Sequence, residues 1–202
     1  MTPEETKLQQ DSDEFNTTVT EGAVAGALTG ALIGALTGDW KGAVIGLAAG
    51  AATGALAGSY IANKKQKYAS EEERLDSMLV DVRTDNQKMA SILTDLQAVV
   101  DQQTAKIASL HQEAQTSTDR ASDLRAAVVM ARQDSQRSKK LVDTMHKKRD
   151  DYQVALADAK SATNQDKVAQ LQQQVDEWNG KVQQAEAQVK SLDDAIALSG
   201  VG

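Results

Sequence analysis

Glycine recurs at every fourth position over one stretch of the chain: Gly22, Gly26, Gly30, Gly34, Gly38, Gly42, Gly46, Gly50, Gly54 and Gly58. A glycine inside a helix costs about 1 kcal/mol relative to alanine, so this beat needs a compensating contact. With 3.6 residues per turn, four-residue spacing keeps the glycines on one slowly drifting stripe of a helix. A stripe without side chains lets a second helix approach closely. In lipid there is little hydrophobic force between helices, and packing of small residues is a main source of their association. Leaving the helix there would expose backbone groups at several kcal/mol each. Alanine after glycine at Ala23, Ala27, Ala31, Ala35, Ala43, Ala51 and Ala55 widens the small face. Val24, Leu28, Leu32, Ile33, Leu36, Val44, Ile45, Leu47, Leu56 and Ile61 remain to meet an apolar medium.

No charged residue occurs from 22 to 38 or from 42 to 63, and Asp39-Trp40-Lys41 interrupts the run. The pattern predicts a two-helix membrane hairpin over 22–62 with its turn at 38–41 and both ends on one side. Trp40, Tyr60, Lys64 and Lys65 then mark the membrane–water boundaries. The first helix is about 25 Å long, short for a hydrocarbon core of about 30 Å. A thin bilayer such as the bacterial outer membrane suits it. The competing reading is a soluble low-complexity helix or a flexible linker, but glycine-rich linkers carry serine rather than this Leu/Ile content. Residues 1–21, acidic and poor in apolar anchors, read as a flexible tail.

Beyond residue 63 the pattern changes to heptads. Leu75, Val82, Met89, Leu96, Leu110, Leu124 and Met145 occupy one apolar position, and Leu79, Leu93, Val100, Ile107, Val128, Val142 and Leu156 the other. One phase holds for twelve heptads, which predicts a coiled coil. Ser117-Thr118-Asp119 has the composition of a helix cap, yet an unchanged phase across it favours a single long helix over 63–160, about 140 Å at 1.5 Å per residue. The phase then breaks. After a turn at 161–167, a second run carries Val168, Leu171, Val175, Trp178, Val182, Val189 and Leu192. It predicts a shorter antiparallel return helix over 168–198, followed by a flexible end at 199–202. The expected fold class is therefore all-α: a glycine-zipper transmembrane helical hairpin, a long coiled-coil helix and the return helix.

Within this scheme Asn86 and Arg149 fall at seam positions that can set register, and Trp178 is core. Glu71-Glu72-Glu73 favours a helix start through the dipole. His111 and His146 sit at the seam edge and read as solvated, so no metal site is expected. No nucleophile–base pattern, phosphate loop or carboxylate pair is present, and the GxxxG repeats lack the GxGxxG spacing of a dinucleotide site. Neither catalytic residues nor a cofactor are expected. With 22 basic against 29 acidic residues, the net charge of −7 argues against nucleic acid as a partner. The absence of cysteine excludes a disulfide framework. The polar start MTPEETKLQQDSDEF does not read as a secretory signal, which leaves open both a protein cytoplasmic at birth and a mature form from which a signal was removed.

Residues 22–58 resemble the bacterial glycine-zipper, two-transmembrane family found in small envelope lipoproteins. That resemblance implies an envelope protein whose hairpins assemble into homo-oligomers, and it implies a lipidated cysteine that this chain lacks. The expected function is structural and non-enzymatic: a hairpin embedded in lipid, oligomerising through GxxxG packing and projecting a coiled-coil stalk into the periplasm, where it scaffolds other envelope proteins. An inner-membrane location is the other placement. The alternative function is an α-helical pore former of toxin or ejection type, which inserts the same hairpin. Against it, only Thr29, Thr37 and Thr53 offer polar lining.

Overall fold

The computed structural model describes residues 2–11 and 58–201. Every regular element among them is helical: α1 (residues 3–11), α2 (Gly58–Lys67), α3 (Glu71–Ala114), α4 (Thr118–Ala159) and α5 (Gln165–Leu198). The expected glycine hairpin over 22–62 and Trp40 lie outside the described residues, save residues 58–62, which open α2, with Ile61 buried in the bundle rather than free to meet lipid.

Two of the three long helices begin at a residue whose side chain satisfies a free backbone amide. Ser70 caps α3 in a full capping box, accepting from the Glu73 amide at 3.2 Å while the Glu73 carboxylate accepts from the Ser70 amide at 3.4 Å. Asn164 caps α5 by accepting from the Lys167 amide. Ser117 flanks α4 in an extended conformation without a side-chain cap bond.

The single helix expected over 63–160 is instead α2, α3 and α4, with a reversal at Gln115–Ser117. Pairings between α3 and α4 run in opposite directions: Gln103 Nε2 donates to Asp134 Oδ2 at 3.0 Å, and Lys148 Nζ reaches Asp85 Oδ2 at 2.8 Å. The helix α5 is antiparallel to α4, as His146–Glu186 and Ser135–Asp193 show. It is parallel to α3, with Arg83 bonded to Gln170 and Gln188 donating to the Leu93 carbonyl. The result is a three-helix bundle. A heptad phase reports which face of a helix is buried, not whether its axis continues. Folding at residue 116 gives each seam a partner within the chain, which a lone straight helix would lack.

Three stripes explain why the bundle has this shape. On α5 the buried positions follow the two-per-heptad seam from Val168 to Leu192, joined by Gln188. On α3 and α4 most positions preceding the heptad position of Leu79, Leu93 and Val128 are buried as well: Met78, Asp85, Ile92 and Val99 on α3, with Ala127, Asp134, Leu141, Lys148 and Ala155 on α4. A face this wide accommodates more than one neighbour. The additional stripe is covered by α1 and α2, which bring Leu8, Tyr60 and Ile61 into the core.

Two termini differ from expectation. The acidic tail includes helix α1, docked through buried Leu8 and Glu5, which lie on one helical face three residues apart. Residues 199–201 are held as well: the Ser199 carbonyl meets His111 Nδ1 at 3.1 Å, and Arg132 donates to the Val201 carbonyl. Gly200 adopts φ 67°, a left-handed value suited to glycine after a helix end.

Candidate functional site

The most distinctive chemistry among the described residues lies where the two flanks of the glycine segment dock in the α3/α4 groove. At the α2 end the centre is Asp85, 1 % exposed. Its Oδ2 accepts from Lys148 Nζ at 2.8 Å and from the Tyr152 hydroxyl. Lys148 and Tyr152 are also buried. Asp85 and Lys148 occupy the same heptad position on antiparallel helices, so the extra stripe of each supplies one member of the pair. Burial, with the Asp85 carboxylate beside it, holds the Tyr152 phenol well above the ordinary tyrosine range. Tyr152 therefore stays a hydrogen-bond donor.

Aromatic rings carry this cluster across the bundle. Tyr60 on α2 meets Tyr152 edge to face, with centroids 6.0 Å apart and an interplanar angle of 82°. Tyr152 meets Trp178 on α5 at 5.7 Å and 89°. Both geometries suit the ring quadrupoles. Trp178 Nε1 donates to the Met145 carbonyl at 3.2 Å, which satisfies its buried N–H. On the outer side Tyr60 donates to Asp81 Oδ2 at 2.8 Å, and Lys64 pairs with the same oxygen at 2.6 Å. Lys65 pairs with Asp158 at 2.5 Å.

The α1 end uses a different device. The Gln103 side-chain amide donates to Glu5 and to Asp134 Oδ2, bridging two carboxylates. Burial raises the Asp134 carboxyl above its usual range, and the Glu5 charge adds to this while Arg137, at 3.1 Å, opposes it. Lys7 pairs with Asp95, and Thr2 donates to Gln102 at 3.0 Å.

Expected positions distribute unevenly over this geometry. The seam residues named from the heptads are all buried or packed against the core, with Leu110 and Val142 partly covered. Tyr60 and Lys64, expected at a membrane boundary, are instead inside the bundle at 4 % and 5 % exposure. An aromatic residue and a lysine after an apolar run read alike whether the next surface is a headgroup layer or another helix. Lys65 is exposed apart from its ion pair. Asn86 donates to the Gln174 carbonyl at 2.9 Å, tying α3 to α5. Arg149 is half-buried and bonds its neighbour Asp150, while the buried cation is Lys148. Sequence reasoning missed Asp85, Lys148, Gln103 and Asp134. For the three charges the signal was the third stripe, which carries them at heptad spacing, whereas Gln103 occupies the seam position of Leu96 and Leu110.

These clusters fix the chain on both sides of residues 12–57 to one groove of one bundle. Among the described residues no helix is long and apolar enough to cross a membrane. Residues 9–62 match the family model described as YMGG-like Gly-zipper, a segment of about a quarter of the chain. No curated protein and no solved structure matches the chain.

Proposed function

We propose that this glycine-zipper protein is a non-enzymatic structural component of a bacterial envelope, embedded through residues 22–58 and oligomerising through helix packing along its glycine stripe. The observation that carries this reading is the unbroken four-residue glycine period in runs free of charge, within the matched segment. Close helix contact is what such a stripe provides, and lipid is where small-residue contact matters most. The three-helix bundle is the water-facing platform, which takes the place of the extended stalk. It offers its outer faces to other envelope proteins. A short, weakly hydrophobic hairpin suits the thin outer membrane, with the bundle in the periplasm.

The test is the mass of the particle extracted in detergent, corrected for bound detergent. A discrete large oligomer is expected, and Gly34→Ile with Gly50→Ile should disperse it by placing branched side chains on the stripe. A monomeric particle for the unaltered protein overturns oligomerisation and leaves the zipper as an intramolecular clasp.

A further inference from the structure

Helix α1 turns an acidic face toward the bundle. Glu5, Leu8 and Asp11 follow one another at three-residue intervals and so form one stripe of the helix. Glu5 and Leu8 are each 5 % exposed, and Asp11 Oδ1 is buried without a hydrogen-bond partner. The docked face is thus a leucine between two carboxyl groups. Burying a carboxylate is costly unless it is paired or hydrogen-bonded, so the groups standing opposite decide what docking costs.

Opposite Glu5 stands Asp134 of α4. Both carboxyl groups are bonded to the one side-chain nitrogen of Gln103, and two bonds of at most about 3.2 Å each keep the two oxygens within about 6.4 Å of one another. Arg137 donates to the other Asp134 oxygen, Oδ1, at 3.1 Å, which leaves Oδ2 on the Glu5 side. Opposite Asp11 stands Asp95 of α3, within hydrogen-bonding reach of it. The donor there is Lys7, bonded to Asp95 and 4.0 Å from Asp11. Two carboxyl groups can hydrogen-bond one another only when one of them carries a proton. Asp95, Val99 and Gln103 are spaced four residues apart, so both meetings lie on one face of α3 with buried Val99 between them.

The same arrangement therefore occurs twice along α1: one carboxyl group of the strap, one of the bundle, and one donor between them. We propose that α1 is a proton-linked strap, which closes on the α3/α4 groove as pH falls and loosens as pH rises. Docking brings like charges together away from water, and this favours uptake of a proton at each meeting. Burial raises the Asp134 carboxyl and Glu5 adds to the rise, while Arg137 opposes it. Burial likewise raises Asp11, with Lys7 opposing and Asp95 adding. Docked values above the ordinary 3.8 mean that this stabilisation is complete below about 4 and is lost as pH rises through the raised values. The strap works in this way whether or not the glycine segment lies in lipid.

Amide hydrogen exchange of the full chain in detergent, expressed as protection factors corrected for the intrinsic pH dependence of exchange, tests the proposal. Amides that exchange by local opening report the docking of their own element. Protection of residues 6–11 should rise as pH is lowered from 8 to 4, by up to about tenfold per pH unit for each proton taken up. Glu5→Gln with Asp11→Asn keeps an acceptor at each meeting and removes the strap's charges there. Its α1 should be better protected than the unaltered helix at pH 8 and should depend less on pH, and protection of α5 shows that the variant is folded. Protection of residues 6–11 that is constant or falls toward acid overturns the proposal. So does weaker protection of α1 in the folded variant at pH 8, and so does an α1 unprotected at every pH.

Discussion

Asp85 is held by a lysine and a tyrosine in a setting without solvent, so its environment tolerates imbalance poorly. Removing one partner of a buried ion pair costs about 3–5 kcal/mol, whereas replacing both by apolar residues can be nearly neutral. Lys148→Met should therefore lower stability by about 3–5 kcal/mol, and adding Asp85→Leu should recover most of that loss. Urea denaturation of the two variants checks this. Asp151 gives a pH signature. Burial raises its carboxyl to about 6 from an ordinary 3.8, with Lys148 opposing and Asp150 reinforcing the shift. A folded-state value above the unfolded one means stability is greatest below about 4 and is lost as pH rises through about 6. Asp151→Asn should thus raise the thermal midpoint at pH 7 more than at pH 4 and flatten the profile between them.

At the scale of elements, the helix starts differ in a way that mutation can read. Ser70 makes both bonds of a capping box, so Ser70→Ala should cost about 1 kcal/mol. Ser117 makes no side-chain cap bond, so Ser117→Ala should change little. Equal losses in the two variants would show that α4 is capped in solution as α3 is. Docking of α1 depends on an amide between two carboxylates. Gln103→Glu places a third carboxylate there and should cost about 3 kcal/mol at neutral pH. Faster amide exchange in residues 3–11 would locate the loss.

For the whole molecule the decisive quantity is the separation of positions far apart in sequence. Residues 72 and 160 would be about 130 Å apart on one straight helix. Here both lie at the same end of the bundle, where the Thr163 amide donates to Glu71 at 2.6 Å and Lys167 pairs with Glu72 at 3.0 Å. Spin labels at Glu72→Cys and Lys160→Cys should report about 10–20 Å, given interaxial spacings of 8–10 Å. A distance beyond about 100 Å would restore the single rod.

Much of this architecture was legible in the residues themselves. The four-residue glycine period is legible over residues 22–58 and lies within the segment that matches the Gly-zipper family model. Heptad phase identified the buried faces of α3, α4 and α5, because a side chain's angular position follows from its place in the helical turn. The break before α5 was visible as a step that no continuous heptad allows. Tertiary structure decided where the chain reverses at Gln115–Ser117, since phase is blind to direction. It also decided what covers the extra stripe containing Asp85, Asp134 and Lys148. Those charges look solvated in sequence and become core only when Glu5, Gln103, Tyr60 and Tyr152 arrive from distant segments to meet or enclose them. Burial depends on what packs against a face, and that information is not local.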